Sequence, residues 1–187
     1  MSQAQITAGE IKKQISKNLV DVIECMQLLH PITNTSKATT ISNTKFANAS
    51  IRIRDALIHE AILGLTKILD ADGSDRLCLA KLIKRENRID LEEELSKVKS
   101  SEEWLELKAI RDGRISHSLI DPGSKLAFDW IYTIKYKIID FLEKIDSTMP
   151  IISEHKALTG EWNKIAHLFW SPIANAAIII KKEKINA

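Results

Sequence analysis

Apolar residues recur along the chain at three- and four-residue steps. The first stretch runs from about Gly9 to Leu29, with Ile11, Ile15, Leu19, Val22, Ile23, Met26 and Leu29 on one stripe. That period is the mark of a helix with a single buried face. His30-Pro31 is expected to end it, because the residue before a proline disfavours helical backbone angles. Residues 31 to 44, PITNTSKATTISNT, read as a loop. A second helix is expected from about Lys45 to Asp70, with Phe46, Ala49, Ile53, Leu57, Ala61, Ile62, Leu65, Ile68 and Leu69 inward. DADGSD then makes a turn. It is no calcium loop: with Asp70 first, glycine falls at position four and Lys81 at position twelve, where a carboxylate is needed.

The remaining pattern predicts a short helix near Leu77–Lys84, a polar break at ENR and a short segment LEEELSKV after Asp90. Ser100 and Glu103 have capping-box spacing, which predicts the start of a helix holding Trp104, Leu107, Ala109 and Ile110. Asp121-Pro122-Gly123 is a turn. A long helix follows from about Ser124 to Asp146, with Leu126, Trp130, Ile134, Ile138, Phe141, Leu142 and Ile145 inward. Pro150 opens a C-terminal section, helical over about 156 to 169, and Ser171-Pro172 is expected to begin a last short helix. No segment alternates as a strand would. The fold class expected is all-α, an antiparallel helical bundle in one domain over residues 1–187.

Composition narrows the function. Four prolines and six glycines in 187 residues leave few helix breakers. The net charge of +2 gives no nucleic-acid footprint by charge alone, so any such role must rest on a local site. Cys25 and Cys78 lack metal-ligand spacing and read as buried thiols of a reducing compartment. The N-terminus lacks a signal-peptide core, and the longest apolar run, IANAAIII, is too short for a bilayer. A cytoplasmic protein without membrane contact is expected.

Candidate chemistry gathers in KAIRDGRISHSLID, residues 108 to 121. On one continuous helix, Arg111, Arg114 and His117 would form an i, i+3, i+6 row, while Asp112 points elsewhere, to serve a different contact or to reach the site from its side. Cleaving RNA without a metal takes a base for the ribose 2′-OH, positive charge on the phosphate oxygens and a proton for the leaving 5′ oxygen. Histidine exchanges protons near neutral pH, and arginine presents a planar fork of donors to phosphate. One such set has few groups, so two copies facing each other across a dimer would make a fuller site. A charged helix surface carrying the same residues by chance is the alternative on spacing alone.

The stretch resembles the motif of HEPN domains: an arginine, a polar residue, and a histidine four to six residues beyond. Arg111, Asp112 and His117 match it, with five residues between arginine and histidine. RDALIHEAILGLTKILD, then a turn, RLCLAKLIK and IRDGRISHS occur in the order of the abortive-infection, AbiU-type branch, so the resemblance spans about residues 45 to 145. Residues from about 150 to 187 form a less recognisable extension. Gly113 and Leu119 depart from the branch, which favours a basic and an acidic residue there. The resemblance implies a metal-independent endoribonuclease without cofactor, a toxin or antiphage effector. It implies Arg111 and His117 as catalytic pair, Asp112 in support and Arg114 on substrate phosphate. Its partners would be RNA, a second copy sharing the motif at the interface, and a possible antitoxin protein. A non-catalytic module binding RNA or protein is the alternative it leaves open.

Other residues read more plainly. Arg52, Arg54, Asp55 and His59 have spacing for an ion-pair row, Arg52 with Asp55 and Asp55 with His59. Lys81, Lys84, Arg85 and Arg88 form a basic cluster followed at once by Asp90, Glu92, Glu93 and Glu94, as on a solvated surface. His30, His155 and His167 show no ligand spacing. The four tryptophans fall at apolar helical positions and read as core.

Overall fold

The structure is a computed structural model and describes residues 6–33, 47–70, 77–114 and 124–185. The described residues are mostly helical, with no strand among them: α1 (Ala8–Thr33), α2 (Ala47–Leu69), α3 (Leu79–Arg85), a single 3-10 turn (Ile89–Leu91), α4 (Glu92–Lys99), α5 (Glu102–Arg114), α6 (Ser124–Ile145) and α7 (Pro150–Ile185). The all-α expectation holds. None of these helices is long and apolar enough to cross a membrane.

Local chemistry explains the helix ends. Thr7 and Glu10 cap α1 reciprocally: Thr7 N–H donates to Glu10 Oε2 at 2.8 Å, and Glu10 N–H donates to Thr7 Oγ1 at 3.2 Å. The box expected at Ser100–Glu103 does not form. Ser100 ends α4, its hydroxyl donating to the Ser96 and Lys97 carbonyls, and Ser101 caps α5 through the Trp104 N–H. Asn87 ends α3 with φ of 54°, a left-handed residue in the place usually taken by glycine. The next N–H, from Arg88, reaches back to the Ile83 carbonyl at 2.9 Å.

Two prolines do not act as expected. α1 continues through Pro31, and α7 continues through Pro172 as one 36-residue helix instead of two. A proline inside a helix leaves the carbonyl four residues back without its N–H partner. At Pro31 the freed carbonyl is that of Gln27, and the two carbonyls after it carry side-chain donors: Trp170 Nε1–H on Leu28 at 2.8 Å and the Thr33 hydroxyl on Leu29 at 3.1 Å. At Pro172 the freed carbonyl belongs to Leu168, an exposed residue, so water is at hand. Ser171 Oγ donates to the neighbouring His167 carbonyl.

The core lies where α1, α2, α5, α6 and the start of α7 meet, with α3 and α4 covering one end. All seven residues of the first apolar stripe are buried, from Ile11 to Leu29. On α2 the expected Ala61, Ile62, Leu65, Ile68 and Leu69 are buried, while nearer its start Ile58 and Ser50 are buried and Ala49 is exposed. A Cβ on Gly64 would lie 2.6 Å from Val22 Cγ2 and 3.3 Å from the Asn18 carbonyl, so α2 approaches α1 closer than any other residue permits. α7 runs beside α1 in the same direction. Its first turn meets Lys12 to Val20, and Trp170, twenty residues on, meets Leu28. The turn between α6 and α7 is tied down by Asp146, which accepts from the Thr148 N–H, the Thr148 hydroxyl and Lys12.

One buried charge runs against the apolar pattern. Lys135 on α6 is only 1% exposed. Its Nζ lies 4.5 Å and 4.2 Å from the ring centres of Tyr132 and Tyr136, and no carboxylate among the described residues pairs with it. The ring faces offer partial compensation. Burial pulls its pKa down to about 8.

Candidate functional site

The candidate site is built at the end of α5. Ser101 starts this helix, and Trp104 and Leu107 seat it in the core at a three-residue step. One turn further, Ile110 is partly buried against the same core. That register turns Lys108, Arg111 and Asp112 to the rim. Arg111 leans onto the end of α2, where Asp70 follows directly after the last buried turn.

Asp70 is the anchor. It stands four residues after Thr66 and eight after Ile62, both buried, so it extends the inner face of α2 by one more turn. Its own N–H donates to the Thr66 carbonyl at 2.8 Å. Its side chain is 8% exposed and accepts from Arg111 Nη1 at 2.9 Å through Oδ2. Its other oxygen, Oδ1, lies 3.7 Å from Lys108 Nζ.

Asp112 takes the other side of the guanidinium. Arg111 Nε donates to Asp112 Oδ1 at 2.6 Å. Asp112 itself is open to solvent, with 61% of its side chain exposed. The Arg111 hydrogen bond holds the Asp112 carboxyl below its usual range, and the same bond, with that to Asp70, raises Arg111 further above its own. Among the described residues two carboxylates thus face two cations at this spot.

α5 is described as far as Arg114, and its backbone carries Arg111, Asp112 and Gly113 in regular helix. The Arg114 side chain, His117 and Leu119 lie outside the described residues. The described part of the row therefore brings Arg111 and Asp112 together and adds Asp70 and Lys108, which sequence reading did not assign. A signal for Asp70 was present: an acidic residue at the i+4 step beyond a buried stripe, where an unpaired carboxylate would be costly.

The second candidate row rearranges. Asp55 pairs with the adjacent Arg54, at 3.0 Å, and not with Arg52, which is exposed. Asp55 Oδ2 and His59 Nε2 are both buried without a hydrogen-bond partner, so the pair expected between them is not made. In the basic cluster Arg88 binds Asp90 at 2.7 Å and also reaches the Lys144 carbonyl, bracing the helical segment against α6. Trp104 and Trp170 are core residues, and Trp130 is partly buried. Cys25 and Cys78 are free buried thiols, and burial pushes Cys25 up to about 11. Among the described residues no three His, Cys, Asp or Glu side chains gather as metal ligands.

No protein-family model, curated protein or solved structure matches the chain.

Proposed function

We propose that the chain is a metal-independent endoribonuclease of HEPN type, acting as a toxin or antiphage effector on RNA. The observation that carries the reading is the anchoring of Arg111 by Asp70 at the rim of the bundle. An arginine fixed there, with Nη2 left over from its bonds to the described residues, suits the charge that develops on a phosphodiester. In this reading His117 takes the proton from the ribose 2′-OH. O2′ attacks phosphorus, the P–O5′ bond breaks, and O5′ leaves with a proton from an imidazolium or from water. The products are a 2′,3′-cyclic phosphate and a 5′-hydroxyl. Arg111 and Arg114 bind the phosphate, and a second copy of the chain brings a second motif to the cleft.

The test is cleavage of total cellular RNA by the purified protein in EDTA, with chemical mapping of the ends. Cyclic phosphate and 5′-hydroxyl ends are expected, with loss of at least a hundredfold in Arg111→Ala and His117→Ala. Equal cleavage by His117→Ala overturns the reading.

One observation favours a second reading, a binding module that does not cleave. Arg111 is already held by two carboxylates, as in a structural ion pair. That reading expects RNA or protein binding with no cleavage.

A further inference from the structure

We infer that Lys108 is a second phosphate-binding cation, held beside Arg111 by the buried carboxylate of Asp70 to form a two-cation cradle for one RNA phosphodiester. The inference rests on the proposed RNA-directed role and extends it to a residue outside the sequence motif.

Lys108 and Arg111 are three residues apart on α5, hence on one face. Two cations so placed repel unless an anion lies between them. Asp70 is that anion, and it divides its oxygens, Oδ2 to Arg111 and Oδ1 to Lys108. The two contacts differ in kind. Arg111 donates a hydrogen bond at 2.9 Å, whereas Lys108 at 3.7 Å is attracted by charge without donating one. Among the described residues the Lys108 ammonium therefore keeps its three donors, and a third of its side chain is exposed. Arg111 has Nε on Asp112 and Nη1 on Asp70, which leaves Nη2. The donors left over thus come from two neighbouring cations on one helix face, and a phosphodiester has two non-bridging oxygens to receive them.

The two carboxylates differ in how firmly they stay. Asp70 is buried and tied to α2 through its N–H, so it remains under the pair. Asp112 is on the surface and can turn into water. An incoming phosphate replaces Asp112. Asp70 sets the geometry and Asp112 is the exchangeable counter-ion.

The experiment is fluorescence anisotropy with a 12-nucleotide single-stranded RNA carrying 2′-fluoro ribose, which cannot undergo O2′ attack, over a range of KCl concentrations. Lys108→Ala is expected to weaken binding about three- to tenfold at low salt and to reduce the salt slope by about 0.7, the share of one phosphate contact. Lys108→Arg should restore both. Lys13→Ala, at an exposed lysine on α1, should change neither. In Asp70→Asn, checked for folding by circular dichroism, adding Lys108→Ala should cost less than in the wild type. Equal affinity and slope for wild type and Lys108→Ala, or no binding by the wild type, overturns the inference. Cleavage of ordinary RNA is scored separately. Cleavage with no Lys108 effect on binding removes the cradle and leaves the ribonuclease. Lys108-dependent binding without cleavage keeps the cradle and removes the ribonuclease.

Discussion

Arg111 and Asp70 meet at 2.9 Å, forty-one residues apart in sequence, and join α5 to the end of α2. The carboxylate is nearly buried and the guanidinium is mostly covered. Removing one partner of such a pair leaves a covered charge without compensation. Asp70→Ala is expected to lower stability by about 2 kcal/mol. Arg111→Ala should cost less than the Asp70 change, because Lys108 still faces Asp70. The double variant should be more stable than the sum of the two losses predicts. Urea unfolding of the four proteins measures the coupling, and strict additivity would show that the contact contributes nothing.

Gly64 lets α2 pack tightly on α1. A methyl group there meets Val22 Cγ2 at 2.6 Å, with the Asn18 carbonyl just behind. In an exposed helix glycine to alanine adds about 1 kcal/mol of stability. Here the clash should reverse the sign, with Gly64→Ala destabilising by about 1–3 kcal/mol. Val22→Ala makes room and should recover part of that loss in the double variant, measured by thermal unfolding.

Lys135 gives a pH dependence with a definite sign. Its pKa falls from 10.5 to about 8 on folding. Between these values the unfolded chain binds more protons than the folded one, so this group makes stability rise with pH across about 8 to 10.5. Below pH 8 its full penalty is present. Lys135→Met, which keeps the length and drops the charge, should raise Tm at pH 7 and lose that advantage by pH 10.5. An unchanged Tm difference across the range would show that Lys135 is not desolvated when charged.

Trp170 fastens α7 to α1 through the Leu28 carbonyl, and it is fully buried beside Ile32 and Ile53. Trp170→Phe keeps an aromatic ring and removes the donor. The cost should be about 1–2 kcal/mol, and cleavage by trypsin in α7 should become faster while the rest of the chain stays protected. A protease pattern identical to the wild type would mean that α7 is held by other contacts.

Periodicity carried the helices, because a stripe at 3.6 residues per turn survives any tertiary arrangement. Ile11 to Leu29 is the clearest case, buried residue for residue. Caps were legible only in part. Thr7-x-x-Glu10 is a working box that resembles Ser100-x-x-Glu103 in sequence, yet in the second case Ser101 takes the role. A hydroxyl one position along serves as well, and the core residue Trp104 decides the register.

What the sequence determined alone was the all-α class, the inner face of α1 and the placing of Arg111 beside Asp112 on one helix. Tertiary structure decided the rest. It let α1 and α7 pass through Pro31 and Pro172, since the packing of Ile32, Trp170 and Ile173 beside them outweighs one lost N–H bond in each helix. It took Asp55 away from Arg52 and His59. It brought Asp70 under Lys108 and Arg111, a pairing no local pattern encodes. Ion pairs between helices depend on which rims meet, and the rims meet where the apolar faces pack.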